Sequence, residues 1–220
     1  MLTIWGRKNS VNVQKPMWLI GELGLEVDRK DVGGPFGGLD TPEYKALNPH
    51  QVIPTLQDDE VTVWESEAVL RYLAGRYGLD YFPADPAERA QIDQWLSWVQ
   101  STWAPAMTAV FAGHVRLARA DRNSQTEAAQ IARLHAVAGL VEEVLGSRSH
   151  LARETLSLAD FAFGAFLYRY YTLEIDRPAL PRLAAYYDRL CERPAFCEHV
   201  QVEYDSLRIP GAERPNQGQA

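Results

Sequence analysis

Asn48-Pro49-His50-Gln51-Val52-Ile53-Pro54-Thr55-Leu56, an acidic turn at Asp58-Asp59, then Val61-Thr62-Val63-Trp64-Glu65-Ser66: this stretch decides the fold. Ile53 to Leu56 reads as a short strand begun by a proline. A missing N–H is tolerated at a strand's first residue because it breaks no ladder. Val61 to Trp64 reads as the returning strand, and Glu65-Ser66 stand at the mouth of a helix, Glu67-Ala-Val-Leu-Arg-Tyr-Leu-Ala. An Ile53–Pro54 bond at such a place is a candidate for cis, since proline cuts the preference for trans to about 0.5–1 kcal/mol. The Ile53 backbone is then positioned to pair with an extended peptide, as an added strand would. The helix mouth offers unpaired N–H groups and a positive dipole end to a carboxylate, and Glu65 can hold an ammonium. A small peptide-like molecule with both groups fits.

These residues resemble the glutathione-binding half of the glutathione S-transferase family. The family's Asn-Pro-x-Gly-x-Val-Pro and Glu-Ser-x-Ala-Ile stand here as Asn-Pro-His-Gln-Val-Ile-Pro and Glu-Ser-Glu-Ala-Val. Both halves lie at the right separation before an amphipathic helix, which makes the match specific. Two departures matter. Gln51 replaces the family's Gly, and Val52 replaces a frequent Gln or Lys, so the glycine carboxylate of glutathione is expected to be held differently or more weakly.

Outward from this stretch, the order of elements is that of a thioredoxin-like α/β domain over residues 1–78. Leu2 to Trp5 reads as a strand, a helix starts near Asn12 or Val13 and stops at Gly24, and Leu25 to Val32 reads as a second strand. Pro16 is tolerated only near a helix start. A strand, helix, strand unit of this size predicts a parallel crossover. Residues 79–86 form a linker, and residues 87–202 read as all-helical. Ile92, Trp95, Leu96, Val99, Trp103, Met107 and Val110 recur at helical spacing, with a kink expected at Pro105. A second long helix is predicted over Ser124 to Leu145 and a third from Ser157 to about Tyr171. Ser157 and Asp160 make its capping box, with Leu156 and Phe161 as its staple. The tail, 203–220, is polar and is read as poorly ordered.

The 220 residues carry a net charge of −7 with 46% hydrophobic and 23% charged side chains. That balance describes a soluble globular chain and argues against nucleic acid or an anionic membrane as the main partner. No apolar run reaches the length of a membrane span, and the first residues do not resemble a signal peptide. Cys191 and Cys197 make no disulfide framework, so a cytoplasmic setting is expected. The five histidines show no metal-ligand spacing, and no metal is expected.

The chemical question falls on the loop Asn9-Ser10-Val11-Asn12-Val13-Gln14-Lys15. The reactive form of a thiol is the thiolate. Lowering a thiol pKa from about 8.5 by two units takes roughly 2.7 kcal/mol. One hydroxyl hydrogen bond to a charged group supplies about 1.5–3 kcal/mol, and a helix N-terminus adds about 0.3–1 kcal/mol. A Ser hydroxyl at a helix start is therefore sufficient. Ser-Val-Asn-Val-Gln-Lys resembles the Ser-x-Asn-Val-x-Arg of serine- or asparagine-type, phi/theta-like bacterial members. Ser10 is the first candidate donor to glutathione sulfur and Asn12 the second. No cysteine lies in this loop, and the nearest tyrosine is Tyr44.

By the same resemblance, Ile53, beside Pro54, pairs its backbone with the cysteinyl part of glutathione, Glu65 and Ser66 hold the γ-glutamyl end, Lys15 or His50 serves the glycine carboxylate, and Val52 and Pro54 are counted among the glutathione contacts. The second-substrate pocket is placed at Trp103, Met107, Phe111, His114 and Arg116. The resemblance implies glutathione transfer to a small electrophile by a homodimer. Two alternatives stay open: glutathione-dependent reduction of disulfides or peroxides, and a non-catalytic ligand-binding or regulatory protein on the same fold.

Overall fold

The computed structural model describes residues 1–212. Its first part is a four-stranded sheet of order β2-β1-β3-β4, built from β1 (Leu2–Trp5), β2 (Val27–Lys30), β3 (Thr55–Asp58) and β4 (Val61–Trp64). β1 runs parallel to β2, as a crossover demands, and antiparallel to β3; β3 and β4 form the hairpin. Helix α1 (Val11–Glu22) is the crossover, α2 (Pro42–Leu47) follows, and α3 (Ser66–Tyr77) continues from the hairpin. The fold is thioredoxin-like α/β, then all-helical.

The helical part comprises α4 (Pro86–Trp98), α5 (Ala104–Val115), α6 (Ser124–Val144), α7 (Leu158–Gly164), α8 (Leu167–Thr172), α9 (Pro181–Cys191) and α10 (Pro194–His199). Between α4 and α5 the chain widens into a π-helical turn over Val99–Trp103, with the Ala104 N–H donating to the Val99 carbonyl. The kink expected at Pro105 is thus taken up just ahead of it. Proline has no N–H for the carbonyl four residues back, and its ring collides with that carbonyl in a regular helix. A wider turn resolves both problems, and Pro105 then sits in the first turn of α5.

The single helix predicted from Ser157 to Tyr171 is two helices, α7 and α8, separated by a tightened turn in which Phe166 N–H donates to Phe163 C=O at 3.1 Å. Its start is as expected. The Asp160 carboxylate reaches back to the Ser157 N–H at 2.8 Å and the Ser157 hydroxyl at 2.9 Å. It also accepts from Leu151 N–H and the Tyr186 hydroxyl, all within the core.

The two parts share their interior. Trp18 of α1 is fully buried against Phe161 of α7 and Phe196 of α10, at ring separations of 4.5 and 4.9 Å. Arg193 clasps Glu22 with two bonds across the same seam. The expectation of a poorly ordered tail differs from the structure as far as Ala212. Tyr204 and Ala212 are buried, Tyr204 packs edge-on against Phe111, and Ile209 N–H donates to Val115 C=O at 3.1 Å. The segment's few apolar residues dock where α5 ends, which overrides its polar composition; the rest of that expectation, residues 213–220, lies outside the described residues. Among the described residues no helix is long and apolar enough to cross a membrane.

Candidate functional site

The Ile53–Pro54 peptide is cis, and Pro54 is buried where β3 begins. The Val52 carbonyl is occupied: it accepts from the Tyr44 hydroxyl at 2.7 Å and the Asn48 amide at 2.9 Å. Ile53 differs, since neither its N–H nor its C=O is hydrogen-bonded to another described residue. Backbone groups left unpaired just ahead of a strand are a template for one more extended segment. Tyr44, whose hydroxyl also touches Thr55, is committed to this loop and not to chemistry.

Gln51 takes φ of +54°, in the left-handed region that favours glycine, which is why the departure at this position matters physically. His50 is exposed, its ring stacked 6.3 Å from Trp64. Glu65 is exposed with φ of +70°, immediately ahead of α3, and Ser66 is buried at the helix's first residue. A non-glycine residue held at positive φ costs roughly 1–3 kcal/mol and is found where function fixes the backbone.

Lys15 is not at the surface of this site. It is fully buried and pairs with Glu67 at 2.6 Å, with the Ser66 hydroxyl 3.4 Å away and the Phe166 ring beneath it. Helical phase explains the correction: position 15 falls on the inward face of α1, between the buried Gln14 and Pro16, so its charge is answered inside the protein. Glu67 also accepts from the Ser66 hydroxyl at 2.7 Å and from the Gln100 amide. Burial pushes the Glu67 carboxyl up, but Lys15 and the Ser66 hydroxyl outweigh it and hold the carboxyl below its ordinary value.

Ser10 is the N-cap of α1 with an extended backbone, and its carbonyl accepts from Val13 and Gln14 N–H. Its hydroxyl caps nothing and has no hydrogen-bond partner among the described residues. Ser10 and Asn12 open onto one pocket of about 180 Å³, whose far wall includes Met107, Phe111 and Arg116. Three of the five side chains expected of the second-substrate pocket therefore meet the candidate donors.

The other two do not. Trp103 is fully buried, 4.6 Å from the Phe163 ring and 5.8 Å from Tyr170, because the π-helical turn directs it into the core. His114 faces α6. Its Nε2 lies 3.0 Å from Glu127 and its Nδ1 3.0 Å from the Val110 carbonyl, beside a separate cavity of about 440 Å³. His114 sits near the end of α5 where that helix packs on α6, while Phe111, and Arg116 just past the helix end, line the pocket beside Ser10.

Sequence reasoning missed Arg7 and Arg169, which line the same pocket. Arg169, on α8, is buried, donates to the Asn9 carbonyl at 2.6 Å and lies 4.4 Å over the Phe111 ring. Burial, and then the charge of Arg116, push it down to about 10, so it remains a cation at neutral pH. Burial and Arg116 lower Arg7 as well. The available signal was a lone arginine inside the apolar run Phe161 to Tyr170, where a charge needs a reason. Among the described residues, no group of three or more His, Cys, Asp or Glu is placed to hold a metal.

A thioredoxin-like sheet, a cis-proline turn with free backbone groups at the start of β3 and a serine at the crossover helix mouth stand together where the α/β part meets the helical part. Family models describe the two parts: the glutathione S-transferase N-terminal domain matches residues 1–75, and the glutathione S-transferase C-terminal domain matches residues 102–194. Glutathione S-transferase GstB of Escherichia coli K12 is 31% identical over 205 residues, covering 92% of this chain and 99% of its own. Glutathione S-transferase 3 of Zea mays is 32% identical over 211 residues, covering 90% and 93%. A theta-class glutathione S-transferase from Xanthomonas axonopodis pv. citri, solved with glutathione bound, superposes with a TM-score of 0.88 at 40% identity, covering 92% of this chain and 98% of that one. The chain belongs to the glutathione S-transferase family and is a glutathione transferase by sequence and by fold.

Proposed function

We propose that this transferase holds glutathione along the Ile53 backbone and promotes attack by its sulfur, with Ser10 as the principal donor to the thiolate and Asn12 as the second. Glu65 and Ser66 receive the γ-glutamyl end. His50 is the remaining candidate for the glycine carboxylate, since Lys15 is sealed in an internal ion pair. Ser66 is oriented by the Glu67 carboxylate beneath it, so its role rests on that buried pair. The electrophile occupies the pocket between Ser10 and the Met107, Phe111 and Arg116 wall. There the sulfur bonds to an electrophilic carbon, the leaving group departs with its electron pair, and the thiol proton passes to solvent.

The observation that carries this reading is the unengaged Ser10 hydroxyl at the α1 mouth. A serine N-cap ordinarily spends its side chain on a backbone N–H; this one is left to donate elsewhere. The test is an absorbance titration of the glutathione thiolate bound to wild-type protein. A bound pKa well below the ordinary thiol value supports the reading. Saturable binding without a shift removes the activating role.

We infer further that the enzyme works in the cytoplasm as a homodimer. Cys191 and Cys197 are free, in keeping with a reducing compartment. The edge strand β4 leaves Val61 and Trp64 exposed, apolar surface that a second copy can cover. Light scattering at twice the 24.8 kDa chain mass supports the dimer, and the single-chain mass rules it out.

A further inference from the structure

Three guanidinium groups converge on the pocket beside Ser10, and each comes from a different element. Arg7 belongs to the loop between β1 and α1, Arg116 closes α5, and Arg169 lies on α8. Among the described residues no Asp or Glu lines the pocket. Among the described residues none of the three arginines is in an ion pair. The Arg7 Nε is buried with no hydrogen-bond partner. Arg169 spends one nitrogen on the Asn9 carbonyl, and both it and Arg116 lie over the Phe111 ring, at 4.4 and 5.8 Å.

Bringing like charges together under partial burial is unfavourable unless something negative completes the cluster. The described residues supply no such group. Guanidinium is also the side chain whose planar fork matches a carboxylate, often with two parallel bonds. The pocket, about 180 Å³, is small, and Val11, Met107 and Phe166 give its wall an apolar part beside Asn12 and Thr108. It suits a compact molecule with one anionic end.

We propose that the electrophile taken by this enzyme carries a carboxylate close to its reacting carbon, held by Arg7, Arg116 and Arg169 while that carbon faces Ser10. This rests on the glutathione-transferase reading above and names its substrate class. The arginines orient the electrophile and offset the repulsion between its carboxylate and the thiolate, a repulsion that slows the same reaction in water. The sulfur–carbon bond forms as the carbon–halogen bond, or its equivalent, breaks, and the leaving group takes the electron pair.

Iodoacetate and iodoacetamide share a reacting carbon and a leaving group and differ in charge, so they serve as the probe pair. The reaction is followed chromatographically as S-carboxymethyl- or S-carbamoylmethylglutathione, so that alkylation of Cys191 or Cys197 is not counted. Each rate is divided by its uncatalysed rate. The acceleration of iodoacetate exceeds that of iodoacetamide by about tenfold or more, the factor one charge-assisted hydrogen bond supplies. Arg116→Gln, at an exposed position that leaves the fold intact, and Arg7→Gln each cut that ratio by about the same factor.

Equal acceleration of the two probes, or an unchanged ratio in both variants, overturns the proposal. So does a loss of glutathione binding by Arg116→Gln in calorimetry without electrophile, which would assign the arginines to glutathione's own carboxylates. If neither probe is accelerated while the bound thiol still titrates low, the carboxylate proposal falls and the transferase reading stands. If the thiol does not titrate low either, the transferase reading falls first.

Discussion

The Lys15 ammonium and the Glu67 carboxylate lie 2.6 Å apart, both sealed from solvent, and the Ser66 hydroxyl touches each of them. A buried pair of this kind is strongly destabilising to break from one side, by about 3–5 kcal/mol, because the survivor is left as an uncompensated charge. Lys15→Met is therefore expected to lose about that much in urea unfolding. Lys15→Met combined with Glu67→Leu is expected to recover part of the loss. Equal losses in the single and double variants would show that the pair is not what the interior depends on.

The same pair sets a pH dependence. The folded Glu67 carboxyl is held below its ordinary value of about 4.3, so its contribution is fully present above that pH and is lost as pH falls through the depressed folded value. In Lys15→Met the Ser66 hydroxyl and the Gln100 amide still donate to Glu67, but the cation that opposed burial is gone. The folded pKa therefore rises relative to wild type, and that variant gains stability relative to wild type as pH falls from about 6 toward 4. Unfolding free energies at a series of pH values distinguish the two slopes, and parallel curves would remove the coupling.

Ser10→Ala separates chemistry from capping. Loss of a hydroxyl bond to the thiolate raises the bound thiol pKa by about one to two units, equivalent to roughly 1.4–2.7 kcal/mol. Glutathione affinity changes little. Because the Ser10 side chain makes no cap bond, stability falls by less than about 0.5 kcal/mol, below the usual cost of about 1 kcal/mol for losing a cap. An unmoved titration would transfer the role to Asn12, and Asn12→Ala is the companion measurement.

Asp160 satisfies four buried groups at once: Leu151 N–H, Ser157 N–H, the Ser157 hydroxyl and the Tyr186 hydroxyl. Asp160→Ala leaves all of them without an acceptor, and at about 1–3 kcal/mol for a buried unsatisfied group the sum is at least about 3 kcal/mol. Asp160→Asn, which keeps one acceptor oxygen, is expected to lose less. Soluble yield and urea midpoints rank the three proteins; a neutral Asp160→Ala contradicts the assignment.

At Gln51 the backbone sits where glycine belongs. Gln51→Gly removes a left-handed penalty of about 1–2 kcal/mol and adds back less than about 1 kcal/mol of unfolded-state entropy. A rise in Tm, or none, is expected. Gln51→Val places a β-branched side chain in the same conformation and lowers Tm by several degrees. A fall in both would mean that the Gln51 side chain itself stabilises the loop.

What the sequence made legible was local. Pro54, the hairpin and Ser66 lie within one short stretch, and spacing along that stretch is nearly spacing in the fold. Ser10 and Asn12 were legible as residues at a helix mouth. Lys15 was not: the resemblance put it on the glycine carboxylate of glutathione, and its actual partner is 52 residues away. Arg7, Arg116 and Arg169 meet only after three elements have packed, so no window of sequence contains the cluster. Trp103 was misplaced because it was projected along a regular helix through the break ahead of Pro105, and His114 because its partner Glu127 lies on α6, outside that stretch of sequence.

That break has a consequence of its own. A regular helix turns about 100° with each residue, and a π-helical turn absorbs an extra residue without lengthening the rod by much. Everything after Val99–Trp103 is therefore set back in bearing relative to α4. Met107 and Phe111 on α5, and Arg116 just past its end, line the pocket beside Ser10 downstream of that offset. Removing one residue from the turn would keep all of their side chains and swing them out of alignment together. The specificity of the pocket is thus stored partly as arithmetic, in how many residues precede it, as well as in which residues they are.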